Sequence, residues 1–231
     1  MAVGDRLGFR DRAVYLPESN ALVIADLHLG RAVTSGVDLP LPEDSSIRTR
    51  LQELLDRFEP TELVLAGDVL DSFSRVPNGV ETTLADLRDQ VAATGTTLTV
   101  IEGNHDPMLS ELVEAVQEHR LGSSTVVCHG HNHPEQSADR YVIGHDHPAI
   151  VIEGQRRPCF LYGPGAYEGG DVVVIPSFNE FIAGTKVNRL DGDYFQSPML
   201  RSLETFRPIV VEESSGETYR FPPLGSMREF L

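Results

Sequence analysis

The segment ELVLAGD, residues 62–68, decides the fold class. Residues 62–66 form a short and mostly apolar run, which is typical of a buried β-strand, and the run ends directly at Gly67 and Asp68. The same pattern recurs along the chain, where apolar runs are followed at once by polar residues at 21–26, 97–106, 125–129 and 141–147. The sequence therefore predicts five strands that each deliver polar side chains at the strand's C-terminal end.

Three segments between these strands place apolar residues at helical spacing. They predict three helices, marked by Ile47, Leu51, Leu54, Leu55 and Phe58, by Val80, Leu84, Leu87 and Val91, and by Leu109, Leu112, Val113 and Val116. Alternating strands and helices favour an α/β fold, in which ligands bind at the C-terminal ends of the strands. We therefore expect the five polar clusters to surround one crevice.

The pattern changes beyond Pro148, where strands and turns follow one another without helical periodicity. Strands are predicted at residues 149–152, 159–162, 172–175, 208–212 and 218–221. We expect them to complete a second, more antiparallel sheet that packs against the first, with helices outside. The predicted fold class is thus α/β, with two packed mixed β-sheets flanked by helices, in one domain of residues 1–231.

The composition is that of a folded protein with an unusual charge. The chain has 35 acidic and 19 basic residues, a formal net charge of −16, and Lys186 as its one lysine. Such a charge would repel nucleic acid at low salt, but it is also typical of halophilic proteins, in whose salt-rich surroundings charges hardly act at a distance. Residues 1–12 show no targeting pattern and no segment has the length of a membrane span, so we expect a cytoplasmic protein without a membrane partner.

Histidine is concentrated at the predicted strand ends. Of eight histidines, seven lie at the strand ends or in the loops that follow, at positions 28, 105, 129, 131, 133, 145 and 147. Histidine is the commonest side-chain metal ligand, so this clustering predicts a metal site. His119 is the exception, and we expect it late in a helix, where it interacts with the helix dipole.

Taken singly, each polar motif is explained as well by a turn or a helix cap as by a metal. Together they supply enough donors for two divalent cations about 3.5–4 Å apart, which need a bridging anion and several further ligands. Nitrogen and oxygen donors without sulfur suit manganese, with iron, cobalt or zinc as alternatives. Cys128 adjoins His129 but should point to the opposite face of its strand, and with Cys159 it is expected to be a reduced thiol.

Five ordered motifs in this chain resemble those of the calcineurin-like metallophosphoesterase superfamily. In chain order they are Asp26-x-His28, Gly67-Asp68-x-x-Asp71, Gly103-Asn104-His105-Asp106, His129 within Cys128-His129-Gly130-His131, and Gly144-His145-x-His147. The run Gly144–Pro148 and the downstream Pro176-Ser177-Phe178-Asn179 are similar to the archaeal and bacterial branch that includes DNA-ligase-associated phosphoesterases. The resemblance thus spans Asp26 to His147, with a softer match beyond.

The resemblance implies a role for each motif residue. One metal ion would be held by Asp26, His28, Asp68 and His147, and the other by Asp68, Asn104, His129 and His145. His105 would contact the phosphate and protonate the leaving oxygen, and Asp71 would orient His105. Asn104 and His131 are further candidates for substrate contact, Asp106 is expected to be structural, and His133 is expected to lie in a loop.

The expected activity is hydrolysis of a phosphodiester or phosphomonoester by a metal-activated hydroxide. Nucleic acid, cyclic nucleotides and other small phosphoesters stay open as substrates, as does the oligomeric state. Arginines at positions 31, 75, 156 and 157 could line a substrate groove, although surface ion pairs explain them equally well. Three alternatives are a DNA nuclease, a non-catalytic metal-binding scaffold, and a metal hydrolase of C–N bonds. The last is disfavoured because the chain lacks HExxH.

Overall fold

The structure is a computed structural model, which describes residues 7–31, 43–71, 76–188 and 195–227. The strands are β1 Gly8–Arg10, β2 Ala13–Leu16, β3 Ala21–Ile24, β4 Glu62–Ala66, β5 Thr97–Ile101, β6 Glu118–Leu121, β7 Thr125–Cys128, β8 Arg140–Ile143, β9 Pro148–Ile152, β10 Gln155–Pro158, β11 Phe160–Tyr167, β12 Gly170–Val174, β13 Thr185–Lys186, β14 Arg207–Val211 and β15 Thr218–Arg220. The α-helices in the described part of the chain are α1 Glu43–Phe58 and α2 Val80–Ala93. Short 3-10 turns lie at Leu109–Glu111 and Leu224–Met227.

The strands form two large sheets and one small one. The first sheet has the order β1-β2-β3-β4-β5, with β3, β4 and β5 parallel. The second has the order β15-β14-β11-β12-β8-β7-β6, with β7, β8 and β12 parallel and the other pairs antiparallel. A small sheet of β10, β9 and β13 follows the last polar motif. The prediction of two mixed sheets in an α/β fold is confirmed.

The hydrophobic core has three layers of contact. Helices α1 and α2 pack on the outer face of the first sheet through Leu51, Leu54 and Leu87. The inner faces of the two large sheets meet through alternate strand residues, including Val23, Val64, Val127, Val142 and Val173. On the outer face of the second sheet, residues of the segment 195–206 replace a helical layer, and Met199, Leu203 and Phe206 are buried there. Residues of one strand thus point alternately into two layers, as the period of two requires.

Two of the sequence expectations about this architecture are wrong in part. The strands that carry the fourth and fifth motifs, β7 and β8, belong to the second sheet, which therefore begins before Pro148. The predicted helix at Leu109–Val116 is only a 3-10 turn at Leu109–Glu111. Val116 instead bridges to Ile101, with its N–H donating to the Val100 carbonyl at 3.0 Å. This pairing overrides the helical spacing, and 41% of Val116 is exposed, so Val116 does not belong to a buried helical face.

His119 also departs from its expected place. It lies in strand β6, not in a helix, and its Nε2 is 2.8 Å from Glu62 Oε1. The contact joins β6 at the edge of the second sheet to β4 in the first. Within the described residues, no helix is both long enough and apolar enough to cross a membrane.

Candidate metal centre

The five polar motifs come together at one edge of the molecule. Strands β3, β4 and β5 of the first sheet and β7 and β8 of the second sheet all end there. Backbone hydrogen bonds tie the ends to one another, since Asp26 N donates to Gly67 O at 3.0 Å and Gly144 N donates to His129 O at 3.0 Å. The expected crevice therefore lies between the edges of two sheets.

Four side chains form a first donor cluster, made of Asp26, His28, Asp68 and His147. One donor atom from each lies within 4.8 Å of the others. His147 Nε2 is 3.3 Å from Asp26 Oδ1 and 3.3 Å from His28 Nε2, while His28 Nε2 is 3.9 Å from Asp68 Oδ2. All four are the residues that the family resemblance implies for one metal ion.

A second donor cluster, formed by Asp68, His129 and His145, shares its carboxylate with the first. His129 Nε2 is 3.3 Å from Asp68 Oδ2 and 3.0 Å from Asn104 Oδ1. The His129 and His145 rings lie 5.0 Å apart, centre to centre. Asn104 thus joins the cluster through His129, and Asp68 lies where an anion between two cations would lie.

The donor atoms suit a metal cation because several of them face one another with their lone pairs. His129 Nδ1 is 3.0 Å from the carbonyl oxygen of Ala66, to which it can only donate. In the neutral ring the other nitrogen, Nε2, then carries a lone pair, and it faces the oxygens of Asp68 and Asn104. In the first cluster, the Nε2 atoms of His28 and His147 face each other in the same way. Such groups need a shared proton or a metal ion between them.

The backbone at this centre is unusual. Five of the seven expected ligands have positive φ, namely Asp26 at 59°, His28 at 46°, Asp68 at 48°, His145 at 70° and His147 at 45°. A non-glycine residue in this left-handed region costs about 1–2 kcal/mol, and such strain is typical of functional sites. All five residues lie in the loops that directly follow β3, β4 and β8.

Two motif glycines allow the chain segments to approach closely. A Cβ atom on Gly103 would overlap the backbone and carboxylate of Asp68. A Cβ atom on Gly144 would lie 2.7 Å from Asp26 Oδ2. Any side chain at either position would displace a carboxylate of the centre, so these positions need glycine for space.

His105 and Asp71 lie at the rim of the first cluster. Donor atoms of His28, Asp71 and His105 are within 4.8 Å of one another, and the rings of His28 and His105 are 5.5 Å apart. His105 is partly exposed, and its backbone N–H donates to Asp68 Oδ1 at 2.9 Å. Asp71 Oδ1 is 3.4 Å from His28 Nδ1 and 3.6 Å from a guanidinium nitrogen of Arg31. Asp71 therefore supports the first cluster as well as lying beside His105.

The two remaining histidines differ in position. The ring of His131 is 5.2 Å from that of His129 and 6.2 Å from that of His145, which places it beside the second cluster. His133 is exposed, stacks on Tyr167 and lies 2.9 Å from the Tyr167 hydroxyl through Nδ1. His131 is thus near enough for a substrate role, and His133 belongs to the loop, as expected.

Two buried carboxylates hold the surrounding loops. Asp106 accepts hydrogen bonds from the backbone N–H groups of Val69, Leu70 and Gly103 at 2.7–3.0 Å, which fits the structural role expected for it. Asp146 accepts backbone hydrogen bonds from Gln196 and Ser197 at 2.7 and 3.2 Å. These bonds fix the loops that carry the donors.

Sequence reasoning gave no role to a further pair of supports. The Ser177 hydroxyl donates to the Asp26 carbonyl at 2.7 Å, and the Asn179 side-chain amide donates to the Leu27 carbonyl at 3.0 Å. Both residues lie in the Pro176–Asn179 segment, which the sequence singled out only for its resemblance. Their segment clamps the backbone of the first motif from the far end of the chain.

Burial and neighbouring charges shift the pKa values of the donor side chains in different directions. Burial alone would raise the pKa of Asp68, but the hydrogen bond and charge of His129, together with His28, bring it below its usual range. Burial alone would lower the pKa of His129, but Asp68 and Asp26 raise it to about 9. Burial and the charge of His129 lower the pKa of His145 to about 4. Burial alone would lower the pKa of His147, but the charge and hydrogen bond of Asp26 raise it above its usual value. Without a metal ion, positive charge is therefore favoured at His129 and His147, beside Asp68 and Asp26.

The structure also shows where the two cysteines and two of the arginines singled out in the sequence lie. Cys128 is buried in the outer layer of the second sheet, away from the donors, and Cys159 is also a buried free thiol. Arg157 pairs with Glu212 at 2.8 Å, and Arg31 lies at the rim of the centre. Arg75 falls outside the described residues.

This chain is similar to known proteins in its fold and in its family motifs. A solved structure of the Pseudomonas putida nuclease MPE is 26% identical, with a TM-score of 0.60, and the match covers 91% of this chain and 92% of that chain. Yfce, a phosphoesterase from E. coli, is 16% identical with a TM-score of 0.45, over 88% of this chain and 98% of that chain, which is too weak to carry an argument. No curated protein sequence matches. Residues 20–149, more than half of the chain and all five motifs, match the family described as Calcineurin-like phosphoesterase. The chain belongs to the calcineurin-like phosphoesterase family and is a metal-dependent phosphoester hydrolase.

Proposed function

We propose that this chain hydrolyses phosphodiester bonds in nucleic acid, with two manganese ions held by the two donor clusters. The observation that carries the proposal is that Asp68 belongs to both clusters, so that two cations would share one carboxylate. Two cations a few ångströms apart form a clamp suited to the oxygens of a phosphoester in an in-line displacement. A site for one structural ion would not need seven donors.

The donors define which cations fit. Asp26, His28, Asp68 and His147 would hold one ion, and Asp68, Asn104, His129 and His145 the other. When bound, the ions supply Lewis acidity to the phosphate oxygens and lower the pKa of a bound water molecule. Imidazole and carboxylate donors without thiolate favour manganese, with iron, cobalt and zinc as alternatives.

His105 is the group best placed to act on the leaving oxygen. It lies at the partly exposed rim, while most of the expected ligands are buried. Its backbone N–H is fixed by Asp68, and Asp71 and His28 lie beside it. Burial lowers the pKa of the His105 ring, although the charge of Asp68 opposes this, so a proton on the ring is readily given up to a substrate that enters from solvent. General acid catalysis of this kind contributes about 10²–10⁴-fold to a rate.

Nucleic acid is the substrate that a specific observation favours. The solved structure described as a nuclease matches almost the full length of this chain. The net charge of −16 opposes binding to a polyanion at low ionic strength, but the Debye length falls to about 3 Å at 1 M salt. We therefore propose that the protein acts in a salt-rich environment, where this repulsion is screened.

The test is hydrolysis of bis-p-nitrophenyl phosphate and of single-stranded DNA with added Mn²⁺, at low and multimolar KCl. We expect turnover of both substrates that chelator abolishes and Mn²⁺ restores. The diester should be hydrolysed faster than mono-p-nitrophenyl phosphate. Turnover that survives chelation would contradict the metal-dependent mechanism, and diester turnover without DNA cleavage at any salt concentration would remove nucleic acid from the proposal.

A further inference from the structure

A pocket of about 280 Å³ adjoins the candidate metal centre. One wall is formed by the start of β9 and by β10, and the other by residues 176–184. His147 of the first donor cluster also lines the pocket. Arg12 and Arg156 also line it. The volume lies just below the range of about 300–1,000 Å³ that is usual for ligand pockets, so the pocket suits a small group such as a phosphate and not a duplex.

Arg12 is a largely buried cation whose charge is only partly matched. One guanidinium nitrogen donates to the carbonyl oxygens of Ser177 and Asn179 at 3.2 and 3.1 Å, which holds the side chain in place. Its Nε is buried without a hydrogen-bond partner in the described part of the chain, and the carboxylate oxygen of Glu213 is 3.7 Å away. Burial, and then the positive charge of Arg50, lower the pKa of Arg12. A bound anion in the pocket would stabilise the charged form of Arg12 and could accept a hydrogen bond from its Nε.

Arg156 supplies a second, accessible cation from strand β10. It is exposed, and its guanidinium reaches the Ala183 carbonyl at 3.4 Å. Glu180 also lines the pocket, but its carboxylate is occupied by Arg50 at 3.1 Å and by the Ser46 hydroxyl at 2.6 Å. Positive charge thus dominates the lining of this pocket in a protein that is otherwise strongly acidic.

The pocket wall is rigidly joined to the first donor cluster. Ser177 and Asn179, whose carbonyl oxygens hold Arg12, also donate from their side chains to the backbone of Asp26 and Leu27. The distance between Arg12 and the cluster is therefore fixed by a few hydrogen bonds. A substrate held at both places would be positioned by one rigid unit, as pre-organised sites require.

We propose that this pocket binds the phosphate group of the nucleotide next to the scissile bond, with Arg12 and Arg156 as its cationic contacts. The inference rests on the proposed nucleic-acid substrate and adds a requirement for a second phosphate. Guanidinium groups bind phosphate through charge-assisted hydrogen bonds. The pocket would favour polynucleotides over isolated esters, since a small aryl ester has no second phosphate to place there.

The direct test is binding of thymidine 5′-monophosphate to the chelated, metal-free protein, with thymidine as the reference. Arg156→Ala is the test variant because its side chain is exposed. Arg157→Ala is the matched control, because it removes the same charge from the next residue, which pairs with Glu212 instead. We expect Arg156→Ala to weaken nucleotide binding by about tenfold, the loss of one charge-assisted contact, and Arg157→Ala to change it little. Equal effects of the two variants, or equal binding of thymidine and its monophosphate, would overturn the proposal.

Kinetic measurements on two substrates distinguish a failure of the proposed phosphate pocket from a failure of the proposed nuclease activity. Arg156→Ala should lower kcat/KM for a DNA oligonucleotide by about tenfold and leave that for bis-p-nitrophenyl phosphate within about twofold. If the wild type and Arg156→Ala cleave DNA equally well, the proposed role of the pocket is refuted, and the proposed nuclease activity stands. A wild-type enzyme that cleaves only the aryl ester would refute the nuclease, and the nucleotide-binding measurement would then decide the pocket.

Discussion

The two donor clusters differ in charge although they share Asp68. The first contains two carboxylates, Asp26 and Asp68, and has Asp71 at its rim. The second has Asp68 as its one carboxylate and is completed by the neutral donors of Asn104, His129 and His145. A divalent cation is held more tightly where more negative charge surrounds it. We therefore expect the first site to fill before the second, and the second to depend on Asp68 almost entirely.

The largest effect should come from Asp68→Asn, which removes the carboxylate common to both clusters. We expect both ions to be bound weakly, and kcat for bis-p-nitrophenyl phosphate to fall by ~10³-fold or more, since metal ions contribute several kcal/mol to such reactions. Asp89→Asn, on the exposed face of α2, is the matched control and should behave as wild type. A variant that keeps two ions and near-normal turnover would show that Asp68 is no bridge.

His105→Ala should separate chemistry from metal binding. The expected fall in kcat is ~10²–10⁴-fold, because the group proposed to protonate the leaving oxygen is lost. Both ions should stay bound, since His105 lies at the rim. Metal content measured beside the kinetics checks this, and His119→Ala is the control histidine outside the centre. Loss of an ion in the His105 variant would make it a ligand instead.

The comparison itself is tested by His28→Ala against His145→Ala. Each removes one imidazole from one cluster only, so each should lower the bound metal from two ions to one. We expect ~10²-fold slower turnover in both, because one ion still provides part of the charge stabilisation. In titration calorimetry, His28→Ala should lose the tighter binding step and His145→Ala the weaker one. The opposite assignment would reverse the predicted order of affinities.

The smallest effect should come from Asp71→Asn. Its carboxylate lies 3.4 Å from His28 Nδ1, and a carboxylate in this position makes the histidine a stronger metal ligand. Replacing such a partner lowers metal affinity or activity about 10–100-fold. Calorimetry should show weaker binding at the first site and an unchanged second site. Equal weakening of both sites would indicate a general electrostatic effect instead.

Much of the centre was predictable because it follows from local pattern. Short apolar runs that end in polar residues placed Asp26, Asp68, Asn104, His129 and His145 at strand ends, and the structure brings all of these together. The same logic separated Cys128 from His129, since neighbouring residues on a strand point to opposite faces.

Other features depend on distant parts of the chain and could not be predicted. Apolar spacing at Leu109–Val116 is compatible with a helix, and only the bridge of Val116 to Ile101 excludes it. The positive φ values of five expected ligands have no signal in Asp or His residues, which adopt many conformations elsewhere. The clamp of Ser177 and Asn179 on the first motif spans about 150 residues, so it appears only when the chain is folded.

The central claim, that two ions share Asp68, is tested most directly by anomalous scattering from crystals grown with Mn²⁺. Two anomalous peaks about 3.5–4 Å apart are expected, with the Asp68 carboxylate between them, Asp26, His28 and His147 around one peak, and Asn104, His129 and His145 around the other. A single peak, or two peaks of which only one contacts Asp68, would contradict the account.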